Sequence, residues 1–242
     1  CDALESVVLP DSVTEIGEEA FNFCTSLKNL KMSDGVTKIG GSAFQHCESL
    51  GEATLPDGLE HIGEYAFSYC SSLESLVIPS SATEIGEAAF SHNARLKSAT
   101  LGDGATCVVQ YMFYDCSALE SVVLPNSVSV IGTRAFYSCR DMTDIALPKS
   151  LTAVEYEAFA LCSALTDVEL PDGLTAIGEG AFNRCGALSS LTIPDSVTEI
   201  GEDAFEKCSN LQLTVSRGSC AAQYAEENSI PFTYPDANDW LN

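Results

Sequence analysis

The sequence predicts an α/β solenoid, a coil of short repeated units rather than a globule built around one pocket. Three observations predict it. Phenylalanine returns every 23 residues, at Phe21, Phe44, Phe67, Phe90, Phe113, Phe136, Phe159, Phe182 and Phe205. Cysteine keeps the same period at Cys1, Cys24, Cys47, Cys70, Cys116, Cys139, Cys162, Cys185 and Cys208, with Asn93 in the remaining place. Proline and glycine punctuate most units at constant offsets from these positions. A unit of 23 residues cannot bury enough apolar surface to fold by itself, so such units stack and share one core.

The elements follow in order within residues 24–46. Leu27, Leu30, Met32, Val36, Ile39, Ala43 and Phe44 supply the inward positions. The alternation from Leu30 to Met32 predicts a short strand. In most units proline comes next, as at Pro10, Pro56, Pro79, Pro125, Pro148, Pro171 and Pro194, and ends the strand because it cannot donate to a ladder. Asp-Gly or Asp-Ser then marks a turn. A second extended piece follows, Val13 to Ile16 in the first unit. Gly17 and its counterparts come next, where a positive φ is expected. A helical turn carrying alanine and phenylalanine, Glu18 to Phe21, closes the unit. Each unit thus adds one strand to a parallel sheet, with neighbours ~4.8 Å apart. Two units depart from the pattern: residues 93–115 carry Asn93, Gly102, Val109 and Met112, and residues 139–161 carry Met142 and Glu155, which reads as local repacking or as a kink or binding feature.

Charge excludes several partners. The chain has 35 acidic and 11 basic residues, a net charge of -24, and such a surface repels phosphate backbones and anionic lipid. No nucleic acid is expected as a partner, and no apolar run is long enough to span a membrane. Basic proteins and cations remain.

The cysteines also follow the period. Asparagine cannot form a disulfide, but it does strongly what a buried thiol does weakly, which is to hydrogen-bond the backbone of a turn. The slot therefore reads as a polar ladder, although neighbours ~5 Å apart are also within disulfide reach. Zinc is disfavoured because no CxxC pair occurs. Cys107 and Cys220 lie out of register.

No residue pattern points to catalysis. There is no phosphate-binding glycine loop, no GxSxG and no HExxH, and the adjacent His46 and Cys47 point in different directions. No cofactor is expected. Three surfaces remain as candidates. Phe23, His46, Tyr69 and His92 form a column of flat side chains along one edge, with Tyr65, Tyr111, Tyr114 and Tyr137 in nearby slots; exposed aromatic stripes contact proteins and sugars. Aspartates at 11, 34, 57, 103, 172 and 195 form an acidic column, a solvated turn face or a weak calcium site. The outward side of the main strand presents Ser6, Val8, Asn29, Lys31, Glu52, Thr54, Ser75, Val77, Ser98, Thr100, Ser121 and Val123, a broad shallow face suited to a large partner.

The pattern CxxLxxLxLPxxVxxIGxxAFxx resembles the bacterial leucine-rich repeat of the BspA-like, treponemal type, over residues 1 to 211. The resemblance implies a curved, right-handed leucine-rich-repeat array with its parallel sheet on the concave side and short strands or helical turns on the convex side. Residues 212–234 resemble the closing segment of such arrays, with a last strand, a helix over Ala221 to Asn228 and then Ile-Pro-Phe; residues 235–242 read as linker. Because the chain opens inside the repeating pattern, an N-terminal cap is expected to precede it. The resemblance further implies a non-enzymatic module of a bacterial cell-surface or secreted adhesin that binds extracellular-matrix or other surface proteins. A carbohydrate-binding module and a passive stalk are the alternatives.

Overall fold

A computed structural model of the protein describes residues 1–235. The chain winds as a solenoid of short parallel strands, in most turns one main and one second strand. The main strands are Ser6–Val8, Asn29–Lys31, Ser75–Ile78, Ser98–Leu101, Ser121–Val123, Asp144–Ile145, Asp167–Val168, Ser190–Thr192 and Gln212–Thr214. The second strands begin with Glu15–Ile16 and Lys38–Ile39 and end with Glu199–Ile200. Residues one period apart sit side by side, Val7 against Leu30 and Ile16 against Ile39. The main strands form four short sheets rather than the single expected one, and residues 51–56, which contain Glu52 and Thr54, are extended without ladder pairing. Gly51 opens that segment, and glycine weakens a strand.

The core is a column of rings. Successive phenylalanines from Phe21 to Phe205 lie nearly parallel, with centroids 5.0 to 6.2 Å apart. Phe44 through Phe182 are wholly buried. At the first turn Leu4, Val7 and Phe21 are half-buried and pack against the core. At the other end Tyr224, on the helix Cys220–Glu227, meets Phe205 edge-on at 6.0 Å. That helix is capped by the Ser219 hydroxyl, which accepts from the Ala222 amide at 3.1 Å, and it buries Ala221, Ala222 and Ala225. The linker reading for residues 235–242 falls, Pro235 apart, outside the described residues.

Two expectations are corrected. The segments around each phenylalanine are hydrogen-bonded turns, not helical turns, and Cys220–Glu227 is the one helix among the described residues. Alternate amides leave the unit there: Glu19, Phe21 and Phe23 donate to the carbonyls of Gly41, Ala43 and Gln45 in the next turn at 2.8 to 2.9 Å, while Ala20, Asn22 and Cys24 bond three residues back. A helix would need all of those amides internally. Two left-handed residues per unit, such as Glu19 at φ 53° and Phe23 at φ 55°, break it further.

The slot glycines are not there for a positive φ. Among the described glycines only Gly180 and Gly218 have one, and neither occupies the slot. The reason is close approach: a Cβ on Gly40 would lie 2.5 Å from the Glu18 nitrogen of the preceding turn, and on Gly178 2.6 Å from the Glu155 carbonyl carbon. Val109 violates this requirement, and the ladder opens there. The second strands fall into two sheets, one ending at Glu84–Ile85 and the other starting at Cys107–Val108. Phe90 and Phe113, in the same two turns, are the widest-spaced rings at 6.2 Å. A hollow of about 560 Å³ lies over the gap, lined in part by Glu84, Ile85, Thr106, Cys107 and Val109. Glu155 keeps its ladder bond to Ile131 at 2.9 Å, and its carboxylate accepts from the Thr133 amide at 2.9 Å.

Phe136→Ala is expected to cost about 3–5 kcal/mol in denaturant unfolding; a loss well under ~1 kcal/mol would show that the ring column does not carry the core. Val109→Gly is expected to close the seam, so that the amides at residues 106 and 109 gain protection from hydrogen exchange, each new backbone bond being worth ~1 kcal/mol. Unchanged exchange there would mean that a residue other than Val109 holds the turns apart.

Candidate recognition surface

The buried polar ladder governs the reactivity of the cysteines. Cys70 Sγ donates to the Phe44 carbonyl at 3.2 Å, Cys116 to Phe90 at 3.3 Å and Cys162 to Phe136 at 3.1 Å, each reaching back into the preceding turn. Asn93 does the same with its amide nitrogen, 3.1 Å from the Phe67 carbonyl, and adds a bond to Phe90 at 2.8 Å. All of these cysteines are free thiols. Burial pushes Cys47, Cys116 and Cys162 up to about 12, so the thiols stay protonated and remain donors. A thiolate is the reactive form, and the ladder is therefore inert.

The aromatic edge is built by backbone geometry. Phe23, His46, Tyr69 and His92 all lie two residues past their core phenylalanine with φ between 55° and 61°. A left-handed residue other than glycine costs roughly 1 kcal/mol or more. Amide bonds to the next turn offset this cost: His46 to Ser68 at 2.9 Å and His92 to Tyr114 at 2.7 Å. The four rings stack face to face, with centroids 4.3, 4.4 and 4.2 Å apart. Phe23 is 54% exposed and Tyr69 37%. The column ends where Asp115 takes the slot, 3.6 Å from His92 Nδ1. Burial lowers the His92 pKa, and Asp115 opposes that shift. Tyr114 turns its edge to His92 at 5.2 Å and stacks on Tyr137 at 4.9 Å.

Tyr65 and Tyr111 belong to a different column, two residues before the core phenylalanine. That column reads Glu19, Ser42, Tyr65, Ala88, Tyr111, Arg134, Glu157 and is left-handed throughout. Sequence reasoning missed Arg134. Its guanidinium lies 6.0, 5.5 and 5.1 Å from the rings of Tyr111, Tyr137 and Tyr156, and its Nε donates to Glu157 at 2.6 Å. Its rings stand in different slots of the repeat, so the period alone carries no signal for it.

Ser6, Val8, Asn29, Lys31, Glu52, Thr54, Ser75, Val77, Ser121 and Val123 are exposed, while Ser98 and Thr100 are half-covered. Val8, Val77 and Val123 are 59 to 68% exposed, so the face carries isolated aliphatic spots among polar groups. The aspartates of the acidic column are exposed, and among the described residues no three of histidine, cysteine, aspartate and glutamate are grouped so as to hold a metal ion. No helix there is long and apolar enough to cross a membrane.

A stack of short strands, one phenylalanine and one proline- or glycine-marked turn per period defines a leucine-rich-repeat array. The chain belongs to the BspA type leucine rich repeat family, whose model matches in 6 copies over residues 1–117 and 84–212. No match occurs among curated proteins. Among solved structures, the chain is similar to a leucine rich cell surface protein from Faecalibacterium prausnitzii at 29% identity and a TM-score of 0.50, covering 96% of this chain and 76% of that one. It is similar to a leucine rich repeat protein from T. pallidum at 30% identity and a TM-score of 0.52, covering 57% of this chain and 78% of that one. A leucine-rich repeat protein from Eubacterium ventriosum, at 23% identity and a TM-score of 0.54, shares the fold over 74% of this chain.

Under native conditions iodoacetamide at pH 8 is expected to label the exposed Cys1 first and the half-exposed Cys107 and Cys220 more slowly, and to spare the eight buried ladder thiols until denaturant is added. Rapid labelling of Cys116 or Cys162 by peptide mass mapping would contradict the protonated ladder.

Proposed function

We propose that the chain is a non-enzymatic recognition module of a bacterial cell-surface or secreted adhesin, and that it binds a protein such as an extracellular-matrix component. The observation that carries this reading is the column Phe23–His46–Tyr69–His92. Four rings held out from a rigid coil at 4.2 to 4.4 Å spacing are ready-ordered contact area, and aromatic side chains anchor protein interfaces. In this reading the strand face, on the concave side of a right-handed arc, is a second contact area.

The stacking disfavours a sugar ligand along this column. A sugar packs on an open ring face, whereas each inner ring here covers its neighbours and presents mainly its edge. The net charge of -24 favours a basic partner and gives salt-sensitive binding. The cell-surface description of the Faecalibacterium protein supports the surface location.

A binding screen against matrix proteins, other surface proteins and glycans, run at low and high salt, tests the proposal. Saturable protein binding is expected, weakened at high salt and reduced about tenfold or more by Tyr69→Ala, the size of effect that removal of a hot-spot ring produces. Binding to glycans alone would replace the proposal with a carbohydrate module. Adhesion that Tyr69→Ala and strand-face changes such as Lys31→Glu leave untouched would make the array a stalk.

A further inference from the structure

Ala88 interrupts a row of large side chains. It stands in the left-handed column between Tyr65 and Tyr111, at φ 54°, and its one-carbon side chain leaves a hollow of about 260 Å³. Tyr65, Tyr69, His92, Tyr111 and Tyr114 line the hollow, with Ser68 and Ser91 beneath them. The two serines are buried and bond each other at 2.8 Å. Tyr65 and Tyr111 are two turns apart, ~10 Å at the strand spacing. A cation between them would be ~5 Å from each ring, inside the range where ring faces attract cations.

The molecule contains a filled version of this site. Two turns further along the same column stands Arg134, φ 52°, with its guanidinium 6.0 Å from Tyr111 on one side and 5.1 Å from Tyr156 on the other. Its Nη1 reaches the Tyr111 hydroxyl and its Nη2 the Tyr156 hydroxyl, both at 3.5 Å. Tyr111 therefore borders a guanidinium in one direction and the empty hollow in the other. No carboxylate lines the hollow itself, but acidic groups act on the tyrosine at one side of it. After burial, the carboxylates of Glu87 and Glu64, followed by Tyr111, raise the pKa of the Tyr65 phenol, and neither carboxylate forms an ion pair with a basic residue among the described residues. Asp115 lies at the far side beside His92.

We propose that the hollow over Ala88, between Tyr65 and Tyr111, is a socket for an arginine side chain of the partner protein. The proposal rests on the recognition reading above and names the chemistry of the residue that is recognised. A volume of about 260 Å³ is below the ~300 Å³ at which small-molecule sites begin, and suits one side chain. Guanidinium is preferred to ammonium because it is planar, weakly hydrated and stacks on aromatic faces.

The experiment uses the protein with N-acetyl-arginine-amide as probe, followed by calorimetry and by tyrosine-ring NMR shifts. The uncharged isostere N-acetyl-citrulline-amide, N-acetyl-lysine-amide and methyl glucoside serve as controls. Saturable arginine binding is expected, with citrulline at least about tenfold weaker and lysine intermediate, and with shifts confined to Tyr65, Tyr69, Tyr111 and Tyr114. Ala88→Arg is expected to fill the socket from within and abolish probe binding. Tyr65→Leu, at an exposed site, is expected to weaken probe binding about tenfold, and it decides the matter should Ala88→Arg fail to fold. Equal binding of citrulline, binding of the glucoside in place of arginine, no saturable arginine binding, or arginine binding that survives both substitutions would each overturn the socket. A protein ligand from the screen whose affinity is unchanged in Ala88→Arg would likewise remove the socket and leave the recognition reading in place. An arginine probe that binds while the screen yields no protein would do the reverse.

Discussion

The structure depends on one distance, the spacing at which each turn rests on the one before it. Parallel strands demand ~4.8 Å, and the ring column follows at 5.0 to 6.2 Å because a flat ring can be stacked at nearly that separation. Glycine is needed where two backbones approach too closely for a Cβ, as at Gly40 over Glu18. The thiol ladder obeys the same rule, since each sulfur must reach a carbonyl in the preceding turn at 3.1 to 3.3 Å. At Val109 the ladder parts and the rings beside it draw apart, whereas Glu155 in the same slot keeps its ladder bond to Ile131. The relaxation is local because repeats contact only their neighbours.

The same spacing produces the surface. A backbone that alternates between internal turns and bonds to the next unit passes twice per period through the left-handed region. Side chains at those two positions form columns along the edge, most of them at least partly exposed, although Ala88 and Ser138 are buried. One column became a continuous aromatic stack, and the other holds tyrosine, alanine, tyrosine and arginine in succession. The strain of the left-handed backbone at these positions is offset by amide bonds to the next turn.

Much of this was readable beforehand. The period, the inward phenylalanines and the equivalence of Asn93 with the cysteines follow from counting, because a stacked core tolerates few substitutions and so leaves a repeating mark. The aromatic column was equally visible at its spacing. Arg134 was not, because a single arginine leaves no period; its role depends on Tyr156 and Tyr137, which stand in different slots. The hollow over Ala88 was hidden for the opposite reason, since a small residue in a variable column carries no signal until its large neighbours are placed around it.

The sequence by itself determined the repeating unit, the buried rings and the membership of the chain in its family, since these rest on interactions that recur identically at every turn. Only the tertiary structure decided that the phenylalanine segments are turns rather than helix, that the glycines serve close approach rather than φ, and that the ladder opens at residue 109. Those outcomes depend on where a neighbouring turn's amides and carbonyls lie, and that information resides between units rather than within any one of them.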